Sequence, residues 1–153
     1  MGNKIEISYE NIPSLAKKER KIELLCNEIF DILDIKNWEL SIVLCDDTFI
    51  KFLNKEYRNI DEPTDVLSFS QVEDDFPLYC DKTIYVGDIV ISVDTLKRNS
   101  SDFNVDINEE FIRLLLHGIL HISGHTHSDN SPEQEMIVYQ EEIINKLTGV
   151  EIF

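Results

Sequence analysis

Apolar and polar residues alternate over residues 4–9, the two-residue period of a strand with one buried face. The period then lengthens. Ile22, Leu25, Ile29 and Leu33 recur at helical spacing, which predicts an amphipathic helix over residues 13–33. Residues 38–45 alternate again, so the chain opens strand, helix, strand. Asp46 or Asp47 can cap a second helix running to about Tyr57, with Phe49, Phe52, Leu53 and Tyr57 along its apolar stripe. Residues 66–70 and 84–93 are rich in β-formers and flank an acidic stretch, 73–81, that reads as an exposed loop. Asp106 with Glu109 makes a capping-box pattern ahead of the apolar run 111–122, and Ser131-Pro132-Glu133-Gln134 opens a final helix ending near Gly149. No repeat, low-complexity tract or long linker divides the chain. The expectation is one α+β domain over residues 1–153, a mixed sheet of about four strands packed with helices.

Composition narrows this picture. A chain of 153 residues buries about 68–70% of its unfolded surface as one domain and needs no disulfide to hold a core. Cys26, Cys45 and Cys80 are widely spaced and form no C-x-x-C pair, which suits buried or free thiols in a reducing compartment. The N-terminus has no apolar targeting core, and the run 111–122 is short and broken by Arg113 and histidines, so a soluble, cytoplasmic protein without a membrane partner is expected. The formal net charge of −16 argues against loose binding to nucleic acid, because non-specific affinity comes from Lys and Arg neutralising phosphates. Contact with RNA, if made, is local. Lys17, Lys18, Arg20 and Lys21 form one basic cluster and Lys51, Lys55 and Arg58 another.

All four histidines fall within residues 117–127, and imidazole is the commonest side-chain metal ligand. His117 and His121 stand four apart in the helical run, so both rings leave one face a turn apart. Gly124 can adopt the left-handed conformation that ends a helix and returns the chain toward that face. The third ligand is then His127, with His125 as the alternative. Three imidazoles with an open fourth position is the arrangement of catalytic zinc, whereas structural zinc sites are closed and rich in cysteine. Zincin peptidases carry a glutamate after the first histidine as general base. Here that position is Gly118, so peptide hydrolysis by that route is disfavoured.

The segments FLNKEYRNIDEPTDVLSFS, VGDIVIS and LLLHGILHISGHTH together resemble the bacterial YbeY family, metal-dependent endoribonucleases of rRNA maturation and ribosome quality control. The likeness spans roughly residues 52–136, more than half the chain. It implies zinc, or a similar divalent metal, on His117, His121 and His127, and a functionally important arginine at Arg58. It also implies single-stranded rRNA and components of the small ribosomal subunit as partners, and no DNA. One departure is Thr126, where the family often has Asp; Asp129 is the candidate substitute. Without the resemblance, Arg58 reads first as half of a surface ion pair at a helix end.

A guanidinium clamps phosphoryl oxygens bidentately, which suits Arg58 to the charge that develops during phosphodiester cleavage. Thr64 and Asp65 are placed to hydrogen-bond the loop presenting Arg58. Asp88 could sit in the sheet near the metal, although for Asp65, Ser68 and Asp88 turn or strand-end roles are at least as natural as catalytic ones. Met136 reads as core packing. Two other functions stay open: a non-catalytic zinc-containing ribosome-assembly protein, and another metallohydrolase such as a peptidase.

Overall fold

The computed structural model describes residues 2–71, 82–124, 132–147 and 149–153, without the side chains of residues 132–136. The elements run β1 (Lys4–Glu10), α1 (Ala16–Leu33), β2 (Trp38–Cys45), α2 (Asp47–Arg58), β3 (Val66–Ser70), β4 (Ile84–Ser92), α3 (Val93–Asp102), α4 (Ile107–Ile122) and α5 (Pro132–Lys146). The four-stranded sheet has the order β1-β2-β4-β3. β1, β2 and β4 are parallel and β3 is an antiparallel edge strand beside β4. The expected single mixed-sheet α+β domain is therefore what forms.

The two faces of the sheet are covered unequally. On the inner face, Leu40, Ile42, Leu44, Ile89 and Ile91 meet Ile22, Leu25 and Ile29 of α1, Leu115 and Ile119 of α4, and Ile143 and Ile144 of α5 in one continuous core. On the outer face α2 is the only helix among the described residues to pack on the sheet, with Ile50 against Cys45, Leu67 and Val90. The expected stripe on α2 is correspondingly only half right. Phe49 and Leu53 pack on the sheet, but Phe52 is 58% and Tyr57 68% exposed, because one helix covers only a corner of this face.

Three local features depart from the predicted pattern. α1 starts at Ala16 rather than near Pro13, since Leu15 packs into the core and its carbonyl accepts from the Lys18 amide at 2.8 Å. α3 was not anticipated from its polar run: Ser92, wholly buried, accepts from the Thr95 amide at 3.2 Å and caps it. Between β2 and β4 the register slips, with Glu39 opposite Tyr85 but Leu40 opposite Gly87. Gly87 has φ +149°, and a Cβ there would lie 2.1 Å from the Phe69 carbonyl oxygen, so only glycine lets β3 lie down at this point.

The described cysteines, Cys26 and Cys45, are buried free thiols. Burial pushes the Cys26 thiol well up, and burial with neighbouring carboxylates pushes Cys45 to about 12. Both stay protonated and act as small apolar groups. Cys80 lies outside the described residues. No helix among the described residues is long and apolar enough to cross a membrane.

Candidate metal centre

α4 begins as its sequence indicates. Asp106 Oδ1 accepts from the amides of Asn108 (2.8 Å) and Glu109 (3.4 Å), satisfying donors the first turn leaves open. The helix then crosses β4 and β3, with Gly118 packed over Ile89. A Cβ on Gly118 would stand 2.9 Å from Cδ1 and 3.0 Å from Cγ1 and Cγ2 of Ile89, a branched, fully buried side chain. Any side chain at this position, a glutamate included, would have to displace Ile89. The glycine exists to seat the helix, and the flanking His117 is carried with it.

His117 and His121 are brought together as their spacing requires. Their ring centroids are 4.3 Å apart, with planes at 65°, and Nε2 of one lies 2.8 Å from Nε2 of the other. Two imidazole nitrogens sharing a tetrahedral zinc at about 2.0–2.1 Å stand about 3.3 Å apart, so a small opening of this pair suits the ion. The other ring nitrogen of His117, Nδ1, is 3.2 Å from Oε1 of Gln140 on α5. Gly124, after the helix, has φ +90° and donates its amide to the His121 carbonyl at 3.1 Å, ending α4 as expected. His125, His127, Thr126 and Asp129 lie outside the described residues.

An ionic clamp joins α4 to α5 one turn before the pair. Arg113 donates from Nε and Nη2 to the two carboxylate oxygens of Glu141 at 2.8 and 2.9 Å, and from Nη1 to Glu110 at 3.0 Å. The Glu141 bonds, followed by those from Glu110 and against partial burial, hold the Arg113 guanidinium firmly protonated. Reciprocally, the Arg113 hydrogen bonds outweigh partial burial and keep the Glu141 carboxyl below its usual range.

Arg58 ends α2 on the outer face, exposed, and enters no ion pair among the described residues. The helix-end ion pair is therefore not formed by those residues, and no described contact joins Arg58 to the histidines. The loop after it is pinned from both sides. Asn54, one turn before Arg58 and almost wholly buried, donates to the Glu62 carbonyl at 2.9 Å. Asp65 accepts from the Val66 amide at 2.7 Å, from Thr64 at 3.4 Å and from Asn99 at 3.3 Å, a strand-end role at the start of β3. Asp88 makes no described contact with His117 or His121. It faces α2, lines a groove of about 270 Å³ with Phe49, Leu53 and Tyr57, and accepts a hydrogen bond from Tyr85.

Gln140, Asn54 and Asn99 were not picked out from sequence. Gln140 had a signal: it occupies the stripe position shared with Ile143, Ile144 and Leu147, where a buried amide demands a partner. Met136, expected in the core, lies on α5 at a position whose side chain is not described.

Fold and site together define a small mixed-sheet α+β protein with a convergent histidine pair on the helix that covers its inner face. The family model described as endoribonuclease YbeY matches residues 4–148. The chain belongs to the YbeY family. It is 48% identical over 153 residues to the endoribonuclease YbeY of Treponema denticola, covering 100% of this chain and 99% of the relative. It is 45% identical over 146 residues to that of Treponema pallidum, covering 93% and 88%. The solution structure of TM1509 from Thermotoga maritima is similar with a TM-score of 0.67 at 26% identity, covering 95% of this chain and 89% of that one.

Proposed function

We propose that this protein is a zinc-dependent, single-strand-specific endoribonuclease of the cytoplasm, acting on rRNA in its maturation and in ribosome quality control, with components of the small subunit as partners. Its relatives are named endoribonucleases, which supports RNA as substrate and hydrolysis as reaction class. The observation that carries the metal reading is the convergence of His117 Nε2 and His121 Nε2 at 2.8 Å on a buried helix. His117, His121 and His127 would hold one zinc. When bound, the ion supplies a Lewis acid that lowers the pKa of water to about 7, which removes the need for a carboxylate at Gly118.

The protein's own groups do the rest. Arg58 is proposed to clamp phosphoryl oxygens through two parallel N–H bonds, stabilising the charge that develops at phosphorus. α4 and α2 lie on opposite faces of the sheet beside edge strand β3, so an extended strand of RNA passing over that edge would touch both. A duplex is less able to follow such a path, which supports single-strand specificity. A peptidase of the zincin kind is disfavoured by the Gly118–Ile89 contact. The net charge of −16 favours the remaining alternative, a non-catalytic zinc-containing assembly protein.

Cleavage of a labelled single-stranded rRNA fragment, paired with metal analysis of the same sample, separates these readings. Stoichiometric zinc with cleavage abolished by chelator is the expected result; stoichiometric zinc without cleavage would transfer the protein to the assembly reading.

A further inference from the structure

Gln140 is 5% exposed, in a helix that otherwise turns Ile143 and Ile144 into the core. An unpaired amide in that position is costly, and an apolar side chain would serve packing better. Its oxygen instead faces His117 Nδ1 at 3.2 Å. A carboxamide oxygen can only accept, so Nδ1 must carry the proton. A neutral imidazole has one N–H, so Nε2 of His117 is left with its lone pair, directed toward His121 Nε2 at 2.8 Å.

Gln140 is also held from behind. The next residue, Glu141, is gripped at both oxygens by Arg113 of α4, and Arg113 lies one turn before His117 on the same helix. The clamp therefore fixes the register of α5 on α4 within a residue of the amide. With Ile143 and Ile144 buried beyond it, Gln140 has little freedom to turn from the ring.

We infer that Gln140 is a positioning residue for the metal centre: its carboxamide oxygen selects the Nδ1–H tautomer of His117 and aims the Nε2 lone pair at a divalent cation, with Arg113 and Glu141 holding the amide in register. The inference rests on the metal reading given above. A hydrogen bond to the non-ligating nitrogen fixes ring orientation and raises ligand basicity, and its loss typically lowers metal affinity by about 10–100-fold.

The test uses the full chain and three variants. Gln140→Leu removes the acceptor at similar volume, Gln140→Asn keeps the amide but shortens its reach, and Gln140→Glu restores an acceptor. Zn²⁺ affinity is measured by competition with a chromophoric chelator, and the His117 tautomer by ¹⁵N NMR of the metal-free protein. Wild type and Gln140→Glu are expected to bind zinc tightly, and wild type to show His117 with Nδ1–H. Gln140→Leu should bind about 10–100-fold more weakly and show a mixed tautomer, with its melting temperature close to wild type. Should Gln140→Leu not fold, Gln140→Asn provides the same comparison. Unchanged zinc affinity and an unchanged tautomer in the acceptor-free variant would overturn the inference. Failure of wild type itself to bind zinc would overturn the metal reading instead, while the tautomer still reports whether Gln140 directs the ring.

Discussion

The two faces of the sheet carry the two halves of the proposed site, and they are built to different standards. On the inner face His117 and His121 ride a helix seated by Gly118 on Ile89, with Gln140 behind one ring and an Arg113–Glu141 clamp one turn away. On the outer face Arg58 ends a helix that leaves Phe52 and Tyr57 in solvent, and its side chain is exposed. A metal ligand must be held to a few tenths of an ångström, which favours a rigid element with packed support. A phosphate clamp needs reach, and a long exposed side chain at a helix end provides it.

The largest effect is expected from the inner face. His121→Ala should abolish stoichiometric zinc and with it RNA cleavage, read by metal analysis and by cleavage of labelled RNA. His127→Ala should do the same, whereas His125→Ala should largely preserve both; equal losses would make His125 a ligand. Zinc retained at one equivalent in His121→Ala would break the assignment of the pair.

Arg58→Ala comes next. It should leave zinc content and melting temperature unchanged but slow single-turnover cleavage by about 10²–10³, the usual loss for one electrostatic donor in the transition state. Arg58→Lys should rescue poorly, because an ammonium lacks the planar fork. Wild-type rates in both variants would return Arg58 to an ordinary surface residue.

Stability should show the same asymmetry on a smaller scale. Gly118→Val pushes branched carbon into Ile89 and is expected to cost about 1–3 kcal/mol in denaturant unfolding, as overpacked cores do. Tyr57→Ala, on an exposed side chain, should fall within about ±0.5 kcal/mol. Similar costs for the two would contradict the unequal covering of the faces.

The smallest effect is the acid response of the α4–α5 clamp. Because Arg113 depresses the Glu141 pKa in the folded protein, this carboxylate contributes stability that is fully present above its ordinary value of 4.5. That contribution is lost as pH falls through the lower folded value. Glu141→Gln should therefore lower the melting temperature modestly at neutral pH and flatten its acid limb below about pH 4.5, so that the two proteins converge in acid. An identical acid limb in both proteins would show that the clamp is not ionic.

Residues whose environment is set along the chain were readable from it. The alternation in β1 and β2, the cap at Asp106, the convergence of His117 with His121 and the turn at Gly124 are all local consequences of residue order. What was hidden depends on partners distant in sequence. Ser92 and Thr95 open α3 only because Asp47 of α2 accepts from both hydroxyls at 2.7 Å, which supports a helix that its few apolar residues do not advertise. Gln140 meets His117 across 23 positions. Phe52 and Tyr57 fit an apolar stripe by spacing, yet whether a stripe is covered depends on how much sheet lies beneath the helix.

The central claim, a zinc held by the inner-face histidines, is met most directly by anomalous diffraction at the zinc edge from crystals of the protein supplied with zinc. One anomalous peak is expected within about 2.0–2.1 Å of Nε2 of both His117 and His121, with His127 as the third protein ligand. No peak at the pair at full zinc supply, or a peak elsewhere with the two rings still in mutual contact, would contradict it.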